Sequence, residues 1–255
     1  MASAVEMRSE TIKERTNAQE RLIFALDVPT ADEARKLISS LDDAVSFFKI
    51  GLELYMGSGL DLIPELKRAG KRVFLDLKYY DVPETVKSAV RRVASLGVSF
   101  LTIHGNGKII KAAVEGRGNS DLKLLSVTAL TSLDNEDMKD LGFQCTVKDL
   151  VMARAQKAME AGCDGVITSS EETAEIRRLA RKIKGMDHKF LIVTPGIRPA
   201  SSPLDDHKRS GTPSQAIKNG ADYLVIGRPI RNSPDPRRAA RLIIEEMQAA
   251  FDTRS

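Results

Sequence analysis

Short apolar runs alternate with longer amphipathic runs along the chain from residue 21 onwards. Short runs rich in apolar and β-branched residues are typical of strands, and longer runs with apolar residues every three or four positions are typical of helices. The predicted strands are Leu22–Leu26, Ser46–Ile50, Arg72–Leu77, Ser99–Ile103, Leu122–Ala129, Gly165–Thr168, Phe190–Thr194 and Tyr223–Ile226. Glycines follow several helical runs, as expected for helix C-caps, at Ala69-Gly70, Leu96-Gly97, Ala161-Gly162 and Asn219-Gly220. About eight βα units in succession predict an α/β fold whose parallel sheet closes into a single-domain TIM (β/α)8 barrel.

Length and composition limit the number of domains and the kind of ligand. The chain has 255 residues, of which 42% are hydrophobic, and no break in composition divides it. We predict one barrel domain over residues 21–255, preceded by a polar N-terminal extension over residues 1–20. The net charge of +4 is mild, because Lys and Arg are scattered among nearly as many acids. It suits an anionic small molecule and does not indicate a nucleic-acid partner.

Cysteine usage and hydropathy bear on location. Cys145 and Cys163 lack the spacing of a metal site or of a disulfide framework. No apolar run approaches the length of a membrane span, and the first residues lack the apolar core of a signal peptide. The sequence therefore predicts a cytoplasmic protein with no membrane segment.

Charged residues interrupt the third predicted strand on one face. Phe74, Asp76 and Lys78 share that face because successive strand side chains point to opposite sides. A lone buried charge is costly, whereas opposite charges in contact stabilise one another. Asp81 follows the strand end, and Pro83 suits the first turn of a helix. A solvated strand end with an ordinary salt bridge is the simpler reading, but the second acid and the following proline favour a functional site.

Other strand ends carry polar groups that belong at the same rim of a barrel. Ile23, Ala25 and Asp27 share one face of the first strand, and Phe47 and Lys49 share one face of the second. Thr131 follows the fifth strand. Chemistry in this fold collects at the carboxyl ends of the strands, so the sequence predicts that these groups converge with Asp76, Lys78 and Asp81.

The loops after the seventh and eighth strands predict a phosphate site. They contain Arg198 and the pair Gly227-Arg228, which offer forked donors and a backbone that an anion can approach. The segment from Ile197 to Thr212 is long for a βα connection and predicts a lid, with a flexible surface insertion as the alternative. Among the histidines, His104 follows the fourth strand, and a hydrogen-bonded core histidine is favoured over a catalytic one.

One charged stretch resembles the Asp-x-Lys-x-x-Asp-(Ile/Val)-Pro-x-Thr signature of the orotidine 5′-phosphate decarboxylase family: Asp76-Leu77-Lys78-Tyr79-Tyr80-Asp81-Val82-Pro83-Glu84-Thr85. The resemblance extends to Ala25-Leu26-Asp27, Lys49-Ile50-Gly51, Leu130-Thr131-Ser132, Val193-Thr194-Pro195-Gly196-Ile197-Arg198-Pro199 and Ile226-Gly227-Arg228-Pro229. It implies that orotidine 5′-monophosphate is decarboxylated to UMP and carbon dioxide in pyrimidine synthesis, with no cofactor and no metal. It also implies a homodimer in which Asp81 and Thr85 complete the partner's site.

The resemblance also implies a role for each matching position. The implied catalytic residues are Lys78, Asp76, Asp81 and Lys49, and the implied substrate-binding residues are Asp27, Lys49, Thr85, Thr131, Arg198, His207, Gly227 and Arg228. Lys78 protonates C6 of the pyrimidine, and Asp76 lies beside the departing carboxylate. Asp27 and Lys49 hold the ribose.

His207 departs from the family pattern. The family usually has Gln at this position of the predicted lid, bridging phosphate and pyrimidine, whereas this chain reads Asp206-His207-Lys208-Arg209. Imidazole reaches less far and gains a charge when protonated. We expect His207 to meet the phosphate and the substrate KM to rise as pH climbs through its titration. An unchanged pH profile in His207→Gln would contradict this.

Two alternatives remain open from the residues. A metal-dependent phosphosugar decarboxylase or aldolase also resembles Asp-x-Lys-x-x-Asp, but its Mg²⁺ dependence would make activity sensitive to EDTA. A barrel that binds a phosphorylated ligand without chemistry is the other alternative, and tight UMP binding without turnover would support it. The loops around Arg198 and Arg228 argue against the first, and the intact charge array argues against the second.

Overall fold

Eight parallel strands close into one barrel. The computed structural model describes residues 16–183, 185–186, 189–199 and 211–254. The strands are β1 (Leu22–Ala25), β2 (Phe47–Gly51), β3 (Arg72–Tyr79), β4 (Phe100–Ile103), β5 (Lys123–Val127), β6 (Gly165–Ile167), β7 (Leu191–Thr194) and β8 (Tyr223–Ile226). Each pairs with the next in chain order, and β8 pairs with β1. The predicted TIM barrel is confirmed, with strand ends within one or two residues of the sequence prediction.

Helices follow the strands and surround the barrel. They are α1 (Ala31–Leu41), α2 (Leu52–Leu54), α3 (Leu60–Arg68), α4 (Pro83–Ser95), α5 (Gly107–Arg117), α6 (Asn135–Asp140), α7 (Val147–Glu160), α8 (Thr173–Lys182), α9 (Pro213–Lys218), α10 (Arg228–Arg231) and α11 (Pro236–Asp252). A 3-10 turn, Ala18–Arg21, precedes β1, and a π-helical segment, Tyr55–Gly59, joins α2 to α3. The glycines predicted as C-caps adopt positive φ, from +66° at Gly97 to +111° at Gly220. Pro83 occupies the first position of α4, as predicted.

Side chains alternate between the barrel interior and the helix layer. Phe74 packs in the interior, whereas Val73 and Leu75 pack under the helices. The interior cluster consists of Ile23, Ala25, Phe47, Phe74, Phe100, Leu125, Val127, Ile167, Val193, Tyr223 and Val225. The predicted inward faces of the first three strands are confirmed. Charges at the carboxyl ends of those faces are therefore directed to the mouth of the barrel.

Aromatic rings fill the amino-terminal end of the barrel. Phe47, Phe100 and Tyr223 contact each other edge to face, with centroids 5.0 to 6.0 Å apart. The guanidinium of Arg21 lies 4.7 Å from the centroid of Tyr223, and that of Arg72 lies 4.3 Å from the centroid of Phe47. The geometry is that of cation–π contacts, which stabilise the base of the barrel.

Two aspartates join neighbouring strands at this same end. Asp222, just before β8, accepts from the main-chain N–H of Ile192 at 2.8 Å and from Arg177 Nη2 at 2.5 Å. Asp164, just before β6, accepts from the N–H of Leu124 at 2.9 Å and from the guanidinium of Arg117. Each carboxylate therefore ties a strand to its neighbour and to a helix.

The first described residues pack on the barrel. Ala18 is fully buried, and its N–H donates to Gln248 Oε1 at 3.0 Å. Gln248 Nε2 donates in turn to the carbonyl oxygen of Thr16. Residues 16–20, which the sequence assigns to the extension, thus lie against α11, while residues 1–15 lie outside the described part and the division at residue 20 stays a prediction. No helix in the described ranges combines the length and apolar character needed to cross a membrane.

Candidate active site

Four charged side chains of alternating sign lie at the mouth of the barrel. Lys49 Nζ, on β2, is 2.8 Å from Asp27 Oδ1 and 3.6 Å from Asp76 Oδ2. Lys78 Nζ is 2.9 Å from Asp76 Oδ1. The side chains of Asp27, Lys49, Asp76 and Lys78 are 50%, 10%, 16% and 32% exposed, respectively. The structure therefore brings together Asp27, Lys49, Asp76 and Lys78 as the sequence predicts.

Burial and pairing determine the charge of the two inner groups. Burial disfavours the charged form of Lys49, but Asp76 and Asp27 outweigh it and raise its pKa. Burial likewise disfavours the charged form of Asp76, but Lys49 and Lys78 outweigh it and lower its pKa. Both groups are therefore ionised at neutral pH, and the array of two cations and two anions is balanced.

Thr102 on β4 is a member of the site that the sequence analysis missed. Its buried hydroxyl donates to Asp76 Oδ1 at 2.9 Å and accepts from the main-chain N–H of Lys78 at 2.9 Å. Lys78 has φ +48°, and the pairing of β3 with β4 shifts register between Leu75 and Tyr79. This irregularity re-aims Lys78 at the strand end, as bulges do near active sites. The signal in the sequence that could have identified Thr102 is its position two residues after Phe100, which places both side chains on the same inward face.

Glycine leaves room for the array at two positions. A Cβ at Gly51 would lie 3.0 Å from Lys49 Nζ and 3.2 Å from Asp27 Oδ1. A Cβ at Gly227 would lie 3.3 Å from the Cβ of Ala25 and 3.7 Å from Asp27 Oδ2. A Cβ at Gly51 would therefore press on the Asp27–Lys49 ion pair, and a Cβ at Gly227 would press on Ala25.

The loops after β7 and β8 form another part of the cavity wall. Ile197 bridges to Gly211, and the N–H of Arg198 donates to the Gly211 carbonyl oxygen at 3.0 Å, so the two ends of the long connection meet. Arg198 is 8% exposed. Arg228 begins α10 directly after Gly227, and it lines the same cavity.

These walls enclose a cavity of about 990 Å³. The predicted residues that line it are Asp27, Lys49, Asp76, Lys78, Thr131, Arg198, Gly227 and Arg228. Thr131, 9% exposed, lies on the side formed by the end of β5. The Asp and Lys side chains of the array, the arginines and the apolar side chains of Val127, Ile167 and Val225 thus line one cavity.

Asp81 and Thr85 do not line this cavity in the single chain. Both are exposed, and Asp81 Oδ1 accepts from the N–H of Val82 at 2.6 Å. Their neighbours Tyr80 and Val82 are also exposed, at 69% and 63%. The predicted contribution of Asp81 and Thr85 to a partner's site stays a prediction.

The structure describes His104 but not His207. His207 and most of the predicted lid, residues 200–210, lie outside the described residues, so the predictions for them stay open. The His104 ring packs edge to face on Tyr80 at 5.5 Å, and its Nδ1 has no hydrogen-bond partner in the described ranges. The expectation of a hydrogen-bonded ring is therefore wrong at Nδ1. Burial, with the positive charges of Arg154 and Lys78, lowers the pKa of His104.

A second residue missed by the sequence analysis is Arg231. It lines the cavity from the last position of α10, and its guanidinium donates to the main-chain carbonyl oxygen of Asp27. No sequence pattern marks it, because the contact joins positions at opposite ends of the chain. In the described part of the chain, no His, Cys, Asp or Glu side chains are grouped in a way that could hold a metal ion.

Comparisons with known proteins agree with this geometry. The model of the orotidine 5′-phosphate decarboxylase / HUMPS family matches residues 20–243. The chain is 52% identical to the orotidine 5′-phosphate decarboxylase of Nitrobacter winogradskyi, over 92% of this chain and 95% of that protein. It is 49% identical to the protein of the same name from Methylococcus capsulatus, over 91% and 93%. The crystal structure of orotidine 5′-phosphate decarboxylase from Lactobacillus acidophilus superimposes with a TM-score of 0.77 at 34% identity, covering 89% of this chain and 99% of that one.

A family match over most of the barrel and relatives about half identical over nearly their whole length leave no doubt of kinship. The chain belongs to the orotidine 5′-phosphate decarboxylase / HUMPS family of enzymes.

Proposed function

We propose that this chain decarboxylates orotidine 5′-monophosphate to UMP and carbon dioxide, the last step of UMP synthesis, without a metal or cofactor. One observation carries the proposal: an ammonium group, Lys78 Nζ, is held by Asp76 at 2.9 Å, and both side chains line a cavity that Arg198 and Arg228 also line. Relatives named for this reaction support it. The family model also covers HUMPS proteins, so the charge array is a second, independent support for this reaction.

Lys78 is the proposed proton donor. Breaking the bond between C6 and the carboxylate leaves the electron pair on C6 of the pyrimidine. An ammonium beside that carbon stabilises the developing negative charge and then forms the new C6–H bond. Lys78 is left as a neutral amine and regains its proton from water, which its 32% exposed side chain can reach.

Asp76 is proposed to lie beside the substrate carboxylate. Its lowered pKa keeps it negative, so it repels that carboxylate in the ground state. The repulsion disappears as neutral carbon dioxide forms, and the interaction therefore differs between ground and transition states. Lys49 and Thr102 hold Asp76 in place during this change.

The remaining cavity residues are proposed to orient the nucleotide. Asp27 and Lys49 hold ribose hydroxyls, Thr131 contacts the pyrimidine, and Arg198 with Gly227 and Arg228 binds the phosphate. Arginine forks are suited to a phosphate dianion. Contacts remote from C6 supply binding energy that orients the reacting group and excludes water. Asp81 and Thr85 are proposed to enter the site from the partner of a homodimer, in the cytoplasm.

The test follows the loss of orotidine 5′-monophosphate absorbance with purified, EDTA-treated protein. We expect turnover by the wild type and a loss of roughly four orders of magnitude in Lys78→Ala. Lys157→Ala is the matched control, since that lysine is exposed on α7 and pairs with Glu160 far from the cavity. Its activity is expected to equal that of the wild type.

The outcomes separate the alternatives. No turnover of orotidine 5′-monophosphate by a folded wild type, with Mg²⁺-dependent and EDTA-sensitive turnover of a phosphosugar substrate, would indicate the metal-dependent chemistry. Tight UMP binding by a folded wild type without turnover would indicate a binding protein. Undiminished turnover in Lys78→Ala would keep the reaction and remove Lys78 as proton donor.

A further inference from the structure

The one-turn helix α10 carries two arginines on one face. Arg228 and Arg231 are three residues apart, so their side chains leave the helix in the same direction, and both line the cavity. The main-chain N–H of Arg231 donates to the carbonyl oxygen of Gly227 at 2.9 Å. Arg231 is therefore joined through a single turn to the segment proposed to bind phosphate.

The guanidinium of Arg231 reaches back to the end of β1. Its Nη1 donates to the main-chain carbonyl oxygen of Asp27. The last backbone hydrogen bond from this strand to β2, among the described residues, runs from Leu26 N–H to the Lys49 carbonyl oxygen at 3.0 Å. Asp27 thus lies just past the sheet, and Arg231 supplies a hydrogen bond that the sheet does not.

The Asp27 side chain lies between the charge array and the Gly227 turn. Its Oδ1 accepts from Lys49 Nζ at 2.8 Å, and half of the side chain is exposed. Its Oδ2 lies 3.7 Å from where a Cβ on Gly227 would be. Asp27 therefore lies beside the Gly227 turn, and the Arg231 hydrogen bond joins the two segments.

We propose that Arg231 is a positioning residue: by holding the Asp27 carbonyl, it sets the distance between the carboxylate that binds ribose and the Gly227–Arg228 turn that binds phosphate. This inference rests on the proposed function, in which one nucleotide spans both segments. A 5′-phosphate is joined to its ribose ring through one methylene carbon and one ester oxygen, so both segments can engage it only over a narrow range of separations. Arg231 acts through Asp27 and takes no part in proton transfer.

The test compares Arg231→Ala, Arg231→Lys, Asp27→Ala and the double variant Asp27→Ala/Arg231→Ala. We expect Arg231→Ala to raise KM about tenfold while kcat changes less than about twofold, because the affected contacts exist in ground and transition states alike. Arg231→Lys retains a donor and recovers most of the loss. In the Asp27→Ala background, Arg231→Ala weakens UMP binding, measured by calorimetry, less than about twofold, because the group it positions is gone.

Inorganic phosphate distinguishes positioning from direct binding. Competitive inhibition by inorganic phosphate is expected to be equal in the wild type and Arg231→Ala, since phosphate alone does not use Asp27. The matched control is Arg237→Ala, an arginine on α11 that pairs with Asp43 outside the cavity and is expected to leave KM unchanged. If thermal unfolding shows that Arg231→Ala does not fold, the same measurements are made on Arg231→Met, which keeps the aliphatic stem.

Three results would overturn the inference alone: a wild-type KM in Arg231→Ala, additive losses in the double variant, or weaker inhibition by inorganic phosphate in Arg231→Ala. The last two would make Arg231 a direct phosphate ligand. Absence of turnover in the folded wild type is a different result, which would overturn the proposed function and this inference with it.

Discussion

Asp76 is the residue on which the charge array depends. It accepts from Lys78 Nζ and Thr102 Oγ1 at 2.9 Å each, and Lys49 Nζ lies 3.6 Å from its other oxygen. A carboxylate with this little exposure remains charged only because each oxygen has a partner. Any change that removes a partner is therefore expected to act on both stability and turnover.

Thr102→Val tests this dependence. The substitution preserves shape, removes the donor to Asp76 and leaves the Lys78 N–H without its acceptor. We expect the free energy of unfolding to fall by about 2 kcal/mol and kcat/KM to fall on the order of tenfold, measured by urea unfolding and steady-state kinetics. Thr102→Ser is expected to recover most of both.

Thr168→Val is the matched control for Thr102→Val. Thr168 is equally buried at the end of β6, but its hydroxyl has no hydrogen-bond partner among the described residues. Its replacement is expected to leave kcat/KM unchanged and to preserve or increase stability. Equal losses in the two variants would contradict the role given to Thr102.

The pKa shifts predict how stability depends on pH. The pKa of Asp76 is lowered below its ordinary 3.8, so its stabilisation is complete above that value and is lost as pH falls through the folded pKa. The pKa of Lys49 is raised above its ordinary 10.5, so its stabilisation is complete below that value and is lost as pH rises through the folded pKa. Between pH 3.8 and pH 10.5 the contribution of both groups to the free energy of unfolding is constant.

Urea unfolding of the wild type and Asp76→Asn across pH 3 to 7 measures the acid limb. The difference in unfolding free energy between them is expected to be constant above about pH 5 and to shrink toward pH 3. Parallel curves over the whole range would show that Asp76 does not carry this linkage.

At the scale of elements, hydrogen bonds to Asp222 and Asp164 join neighbouring strands at the end of the barrel opposite the cavity. The Asp222 carboxylate accepts hydrogen bonds from the N–H of Ile192 on β7 and from the buried guanidinium of Arg177 on α8. Asp222→Ala removes a carboxylate from Arg177, which is 6% exposed and also donates to the carbonyl oxygens of Phe190 and Gly220. We expect the free energy of unfolding to fall by about 3 kcal/mol while KM stays unchanged, measured by urea unfolding and kinetics.

Asp43→Ala is the comparison for Asp222→Ala. Asp43 also pairs with an arginine, Arg237, but on the exposed surface. No measurable change in stability is expected, because exposed ion pairs are screened by solvent. A large loss in Asp43→Ala, or none in Asp222→Ala, would contradict the importance of burial.

Local patterns predicted most elements because strand alternation and glycine C-caps depend on near neighbours. The inward direction of Lys49 and Asp76 followed from their spacing to Phe47 and Phe74, and the structure confirms it. The positive φ of Lys78 had no such signal, since it arises from the pairing of β3 with β4. The contact from Arg231 to Asp27 likewise depends on closure of the barrel, which brings the two ends of the chain together.

At the scale of the molecule, the proposed active site needs two chains. Asp81 and Thr85 are exposed beside Tyr80 and Val82 and do not line the cavity of their own chain. If Asp81 serves the partner's site, a mixed dimer of Asp81→Ala and Lys78→Ala chains places both changes in one site and leaves the other intact.

Subunit mixing tests this arrangement. Each variant alone is expected to be nearly inactive, and an equal mixture after subunit exchange is expected to recover about a quarter of wild-type activity, because half the dimers are mixed and each has one intact site. A mixture of Lys78→Ala with Asp76→Ala is the control, since both residues belong to the chain's own site, and no recovery is expected. No recovery in the first mixture, with mixed dimers demonstrated, would place Asp81 in its own chain's site.

The aromatic packing of Phe47, Phe100 and Tyr223 affects how substrate and products enter and leave the barrel. With Arg21 and Arg72 over two of these rings, the described part of the barrel is filled at that end. The proposed reaction releases carbon dioxide at the other end, at the mouth through which the nucleotide entered. Carbon dioxide and UMP therefore leave by the same mouth, because the aromatic end gives neither product a second exit in the described part of the barrel.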